Sequence, residues 1–237
     1  MTLWVVYPAL ALVLGVLTSI YLFVAWFRHP KKRPAFILYW SAGLFLMYWF
    51  QVPIILTNLG RTTTITAFNF FFAVTFPVTF LALAMIYWGV LDALNIRLNR
   101  MLKVLFLAWL LSAAAFFAYH FIIYHGVIST HILPVVGNLV FYLPLRILII
   151  IALARRVMQM DNKKNLGAFG AAFVIGESVL GIFRNLLIVK YVLAYPPQLW
   201  YIVLTSLKIF FILQTASIIF LVFGFIFLHR ACCRTGN

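Results

Sequence analysis

Seven apolar runs alternate with short hydrophilic gaps along the chain. Each run is near or above the roughly 20 residues that a helix needs to cross the hydrocarbon of a bilayer. The pattern predicts spans at approximately 3–27, 35–59, 65–91, 104–124, 132–154, 166–193 and 199–228. The gaps carry the usual interruptions. Arg28-His29-Pro30-Lys31-Lys32-Arg33-Pro34 makes a sharp, solvated loop. Gly60-Arg61-Thr62-Thr63-Thr64 closes the second span, and Tyr195-Pro196-Pro197 breaks the sixth. Proline also falls inside runs, at Pro53, Pro77 and Pro144, where it removes an N–H donor and loosens the helix. The expected fold is therefore an all-α integral membrane protein, a single seven-helix domain with no soluble part.

Composition agrees with lipid as the solvent. The 237 residues are 66% hydrophobic and 9% charged, more apolar surface than a soluble domain can hide. The net charge of +15 would suggest nucleic acid in a soluble protein. Here the cations lie in the gaps, so topology explains them and nucleic-acid binding is excluded. Thirteen Lys and Arg fall in the gaps after spans one, three and five and in the tail, against Arg61 and Lys190 on the other side. That bias puts the N-terminus outside and the C-terminus in the cytoplasm. Trp4, Tyr7, Tyr119, Tyr124, Tyr195 and Trp200 then form an outer aromatic belt, and Trp26, Tyr39, Trp40, Tyr87 and Trp88 an inner one. The start has no basic n-region, so no cleaved signal peptide is read. Cys232 and Cys233 are adjacent in the tail and read as reduced thiols, with palmitoylation as the alternative.

Few ionisable residues lie within the spans, and those few carry the candidate chemistry. Glu177 is the one carboxylate there; Arg146, Arg184 and Lys208 are the cations. At 1.5 Å per residue, Arg146 and Glu177 both lie roughly 21–24 Å from the outer ends of their spans. Level on consecutive antiparallel helices, they are expected to form a structural ion pair, with Tyr142 one turn away to donate a hydrogen bond nearby. Arg184 and Lys208 each lie roughly 13 Å below the outer surface, with no acid at their depth. Gln51 and Tyr48 share a face of span two in the same outer layer. Gly170, Glu177, Gly181 and Arg184 share a face of span six, where small residues admit a neighbouring helix.

Two readings of this layer compete. In the first, Arg184 and Lys208 snorkel outward or bond backbone carbonyls, and the ion pair merely staples helices. In the second, Arg184, Lys208, Gln51 and Tyr48 line an outer-half pocket for a small anionic or amphiphilic ligand that supplies the missing countercharge. Other chemistries fit worse. A retinal Schiff base on Lys208 lacks a carboxylate at its level. Haem wants facing histidines, and His120 alone lies within a span. Zinc on His120, His125 and His131 lacks acidic or thiolate help. A hydrolase or proton relay needs more acids, so the chain is not read as an enzyme. No cofactor is predicted, although a bound lipid would fit.

Three functional classes remain. The first is a receptor-like or sensory protein of the plasma or bacterial inner membrane, acting through a cytoplasmic signalling partner. The second is an anion or organic-acid transporter or channel. The third is a non-catalytic subunit assembled with other membrane subunits.

Overall fold

The computed structural model describes residues 3–28, 34–49, 51–58, 65–124, 131–158, 166–196 and 208–234. These residues are 94% helical with no strand, so backbone hydrogen bonding is satisfied within segments, as lipid requires. The elements are α1 (Leu3–Phe27), α2 (Ala35–Trp49), α3 (Gln51–Asn58), α4 (Ile65–Ala93), α5 (Arg100–Tyr124), α6 (Ile132–Val136), a π-helical segment (Gly137–Tyr142), α7 (Leu143–Met158), α8 (Leu166–Ala194) and α9 (Lys208–Arg234). Among the described residues, six stretches are long and apolar enough to cross a membrane, α6 through α7 counting as one, and α2 is a shorter apolar helix. The architecture is that of a multi-pass α-helical membrane protein.

Local chemistry accounts for where several elements differ from the expected spans. The second run is described as α2 and α3, on either side of Phe50, which lies outside the described residues, as does its expected end at 59. The fourth run begins at Arg100, not 104, because Asn99 caps it: the Asn99 side-chain oxygen accepts the Leu102 N–H at 2.7 Å. Before it, α4 closes with Asn95 in the left-handed region (φ 53°) and the Ile96 N–H turned back to the Leu91 carbonyl at 2.9 Å. In the fifth run the helix widens over Gly137–Tyr142, and the Leu143 N–H reaches the Asn138 carbonyl. The widening lies just before Pro144, which cannot continue the normal ladder. The last helix extends to Arg234, beyond the expected end at 228; its expected start, 199–207, lies outside the described residues.

Packing closes six of the spans into a ring. Neighbours run α1, α2, α4, α7, α8, α9 and back to α1. The most extensive contact is between antiparallel α8 and α9. There a Cβ on Gly170 would lie 2.7 Å from the Leu228 nitrogen, and one on Gly224 would lie 3.1 Å from the Val174 nitrogen. Only glycine lets the two backbones approach so closely. Between α1 and α2, Ser19 and Ser41 each donate a hydroxyl to the other's carbonyl at 2.8 Å. α1 and α9 run parallel, meeting at Tyr7–Phe211 near their starts and Tyr21–His229 near their ends.

α5 stays outside the ring. It rests on α4 and the π-helical segment through an aromatic cluster of Phe80, Trp109, Phe116, Phe117 and Phe141, with ring centroids 5.4–6.3 Å apart. Its other side presents Met101, Val104, Leu105 and Leu111, all exposed and apolar, as lipid contact requires. Inside the ring, toward the C-terminal ends of α1 and α9, the core is apolar. Leu22, Ile37, Trp40, Leu44, Ile86, Ile149 and Phe225 are each 2% exposed or less, and the Trp40 and Phe225 rings lie 4.8 Å apart.

Candidate functional site

The polar groups gather at mid-bundle, inside the ring. Glu177, on the α7-facing side of α8, accepts a hydrogen bond from Arg146 Nη1 at 2.8 Å. The same oxygen, Oε1, accepts the Ser217 hydroxyl of α9 at 2.9 Å. Its other oxygen lies 3.5 Å from the Ser178 hydroxyl. Arg146 is 1% exposed and Glu177 2%. One carboxylate thus ties α8 to both of its ring neighbours, α7 and α9. Charge buried so deeply survives only when paired and hydrogen-bonded. Gly181 provides the room, because the Arg146 guanidinium lies directly against its Cα, where any side chain would stand. The small residue admits a charged group here, rather than the neighbouring backbone that its spacing suggested.

Arg184 joins this cluster from above. Helical side chains lean toward the helix N-terminus, so Arg184 on α8 leans toward Gly181 and Glu177, away from the nearer membrane face. It interacts electrostatically with Arg146, which repels it, and then with Glu177, Tyr48 and Tyr142. Outward snorkelling is therefore not what Arg184 does. Arg184 is less fully buried than the Arg146–Glu177 pair. Among the described residues, the cluster holds two guanidinium groups and one carboxylate.

The remaining sequence candidates fall as follows. Tyr48 is 3% exposed, lies flat on Gly15 of α1, and interacts with Glu177, Arg184 and Arg146. Gln51, one turn beyond Tyr48, is fully buried. Tyr142 is in the cluster, but its hydroxyl does not serve Arg146: it donates to the Phe76 carbonyl at 2.7 Å and also meets Thr79. The reason is direction again, since Tyr142 leans toward the start of its own helix and Arg146 lies one turn the other way. The side chain of Lys208 lies outside the described residues, as do His125 and the loop cations Lys31, Lys32, Arg33, Lys163 and Lys164. His120 is elsewhere, on α5, with its ring tilted against that of Phe116 at 4.6 Å between centroids.

Ser217 was not singled out by the sequence. A signal for it existed: Glu177 and Ser217 lie twenty residues to either side of Pro197, in the Tyr195-Pro196-Pro197 stretch where the sequence itself predicts a turn between the two runs. Counting outward from that turn pairs them. Nothing in the sequence pointed to Gly181 as the seat of a guanidinium, because the rotamer of Arg146 decides it. No protein-family model, curated protein or solved structure matches this chain.

Proposed function

We propose that the chain is a receptor-like, seven-span membrane protein, N-terminus outside and C-terminus cytoplasmic, that binds a small anionic ligand at Arg184. Tyr48 and Gln51 line the site, with Lys208 on α9 about one turn farther out than Arg184. One observation carries the reading: Arg184 is an incompletely buried cation beside an ion pair already complete without it. A carboxylate supplies the countercharge in the geometry that a guanidinium favours. Binding there acts on Arg146 and Glu177, and through Glu177 on α7 and α9 together. Their cytoplasmic ends would report it to a separate partner in the plasma or bacterial inner membrane.

The apolar core below the cluster favours reception over transport. Trp40, Phe225, Leu44 and Ile149 close the ring there, offering a hydrophilic ligand nothing to exchange with on its way through. The test is ligand-dependent thermal stabilisation of detergent-purified protein by a panel of small carboxylates. Arg184→Met should abolish the stabilisation and leave the unliganded melting temperature unchanged or higher. Stabilisation of equal size in Arg184→Met would remove the proposal. Carboxylate flux into proteoliposomes would replace it with a transporter.

A further inference from the structure

Three buried amides carry at least one side-chain atom without a hydrogen-bond partner among the described residues. Gln51 is 0% exposed, yet neither its Nε2 nor its Oε1 is hydrogen-bonded among the described residues. Gln214, 3% exposed, has an unpartnered Oε1, and Asn185, 2% exposed, an unpartnered Nδ2. Buried amide atoms are nearly always paired, so three such residues together call for something that pairs them.

Helix register brings Gln51 and Gln214 to one layer and Asn185 to within one turn of it. Tyr7 stacks on Phe211 and Tyr48 lies on Gly15. One turn from each of these contacts, Ala11 on α1 is level with Gln214 on α9 and with Gln51 on α3. Between the neighbouring helices α8 and α9, Ser217 meets Glu177, so Gln214, one turn nearer the start of α9, is level with Gly181 and the Arg146 guanidinium. Asn185 follows Gly181 by one turn, and Arg184 leans into the same layer.

Resting on the anion-binding reading, we infer that the ligand is a small monocarboxylate that also carries a hydroxyl or amide group. The carboxylate meets Arg184. The second group meets Gln51, Gln214 and Asn185, which together offer donors and acceptors. A hydroxyl or amide both donates and accepts. An alkyl tail does neither, and a second carboxylate only accepts, leaving the Gln51 and Gln214 oxygens facing negative charge. An apolar tail would leave the amides unpaired while shutting water out, which is how a polar pocket rejects an analogue lacking the matching group.

The test compares butanoate, 4-hydroxybutanoate and succinamate binding to the purified full-length protein. Wild type should bind the hydroxyl and amide acids about tenfold or more tighter than butanoate. Gln51→Leu should bring the three acids toward parity, read as the ratio of their affinities within the variant, without lowering the unliganded melting temperature. Gln214→Leu is the second variant should the first fail to fold. Equal affinity of wild type for all three acids, lost in Arg184→Met, would overturn this inference and leave the anion site standing. So would a preference that survives both glutamine variants. Binding of none of the three would overturn the inference together with the site.

Discussion

At the scale of single residues, Glu177 is the group on which the others depend. It is the acceptor for Arg146 and for Ser217, and it is enclosed from lipid and water alike. Replacing it with glutamine keeps the shape and removes the charge, so Arg146 is left buried without a counterion. Glu177→Gln should lower stability by about 3–5 kcal/mol, measured as denaturant or thermal unfolding in detergent. The double variant Arg146→Met/Glu177→Met removes both ions and should be close to neutral or stabilising, since desolvation of two charges offsets most of their attraction. If the double variant were as unstable as the single one, the loss would come from packing and not from stranded charge. Gly181→Ala should resemble Glu177→Gln, because its methyl group would occupy the place of the guanidinium.

Among elements, the contrast lies between helices that meet backbone to backbone and one that does not. α8 and α9 approach at Gly170 and Gly224 so closely that a Cβ would strike main-chain atoms, which cannot swing aside as a side-chain tip can. Gly170→Val should therefore cost about 1–3 kcal/mol of overpacking, read as a lower melting temperature. Leu111→Val, on the lipid side of α5, should leave the melting temperature unchanged, because that side chain is 62% exposed. Equal effects of the two substitutions would mean that α8 and α9 are held apart in the membrane. The π-helical segment belongs to this scale too. It seats Phe141 against α5 and turns Tyr142 to α4, just ahead of Arg146. Wide turns of this kind often mark functional positions in helices.

For the whole molecule, the ring explains how one cluster can draw on four of its six helices. α2 brings Tyr48, α7 brings Arg146, α8 brings Glu177 and Arg184, and α9 brings Ser217. On the proposed reading, a change at the centre would be felt by helices whose ends lie at the membrane face. The cation bias of the gaps sets which face that is. An epitope tag fused after Asn237 should be reached by antibody only in permeabilised cells; staining of intact cells would invert the topology and put the reporting ends outside.

The helical class and the run of membrane-length segments could be read from hydropathy alone, because in lipid a backbone must satisfy its own hydrogen bonds and only length and apolarity are then needed. The matching depth of Arg146 and Glu177 was legible for the same reason, since a constant rise per residue converts position into height. Height is all that such counting yields. Which helices are neighbours, that α5 stands outside the ring, and that Arg184 turns inward to Tyr48 were decided by tertiary packing. So was the rotamer that sends Tyr142 to Phe76 and seats a guanidinium on Gly181. Those outcomes depend on rotation about each helix axis and on contacts between residues far apart in the chain, and a segment apolar on all sides carries little trace of either.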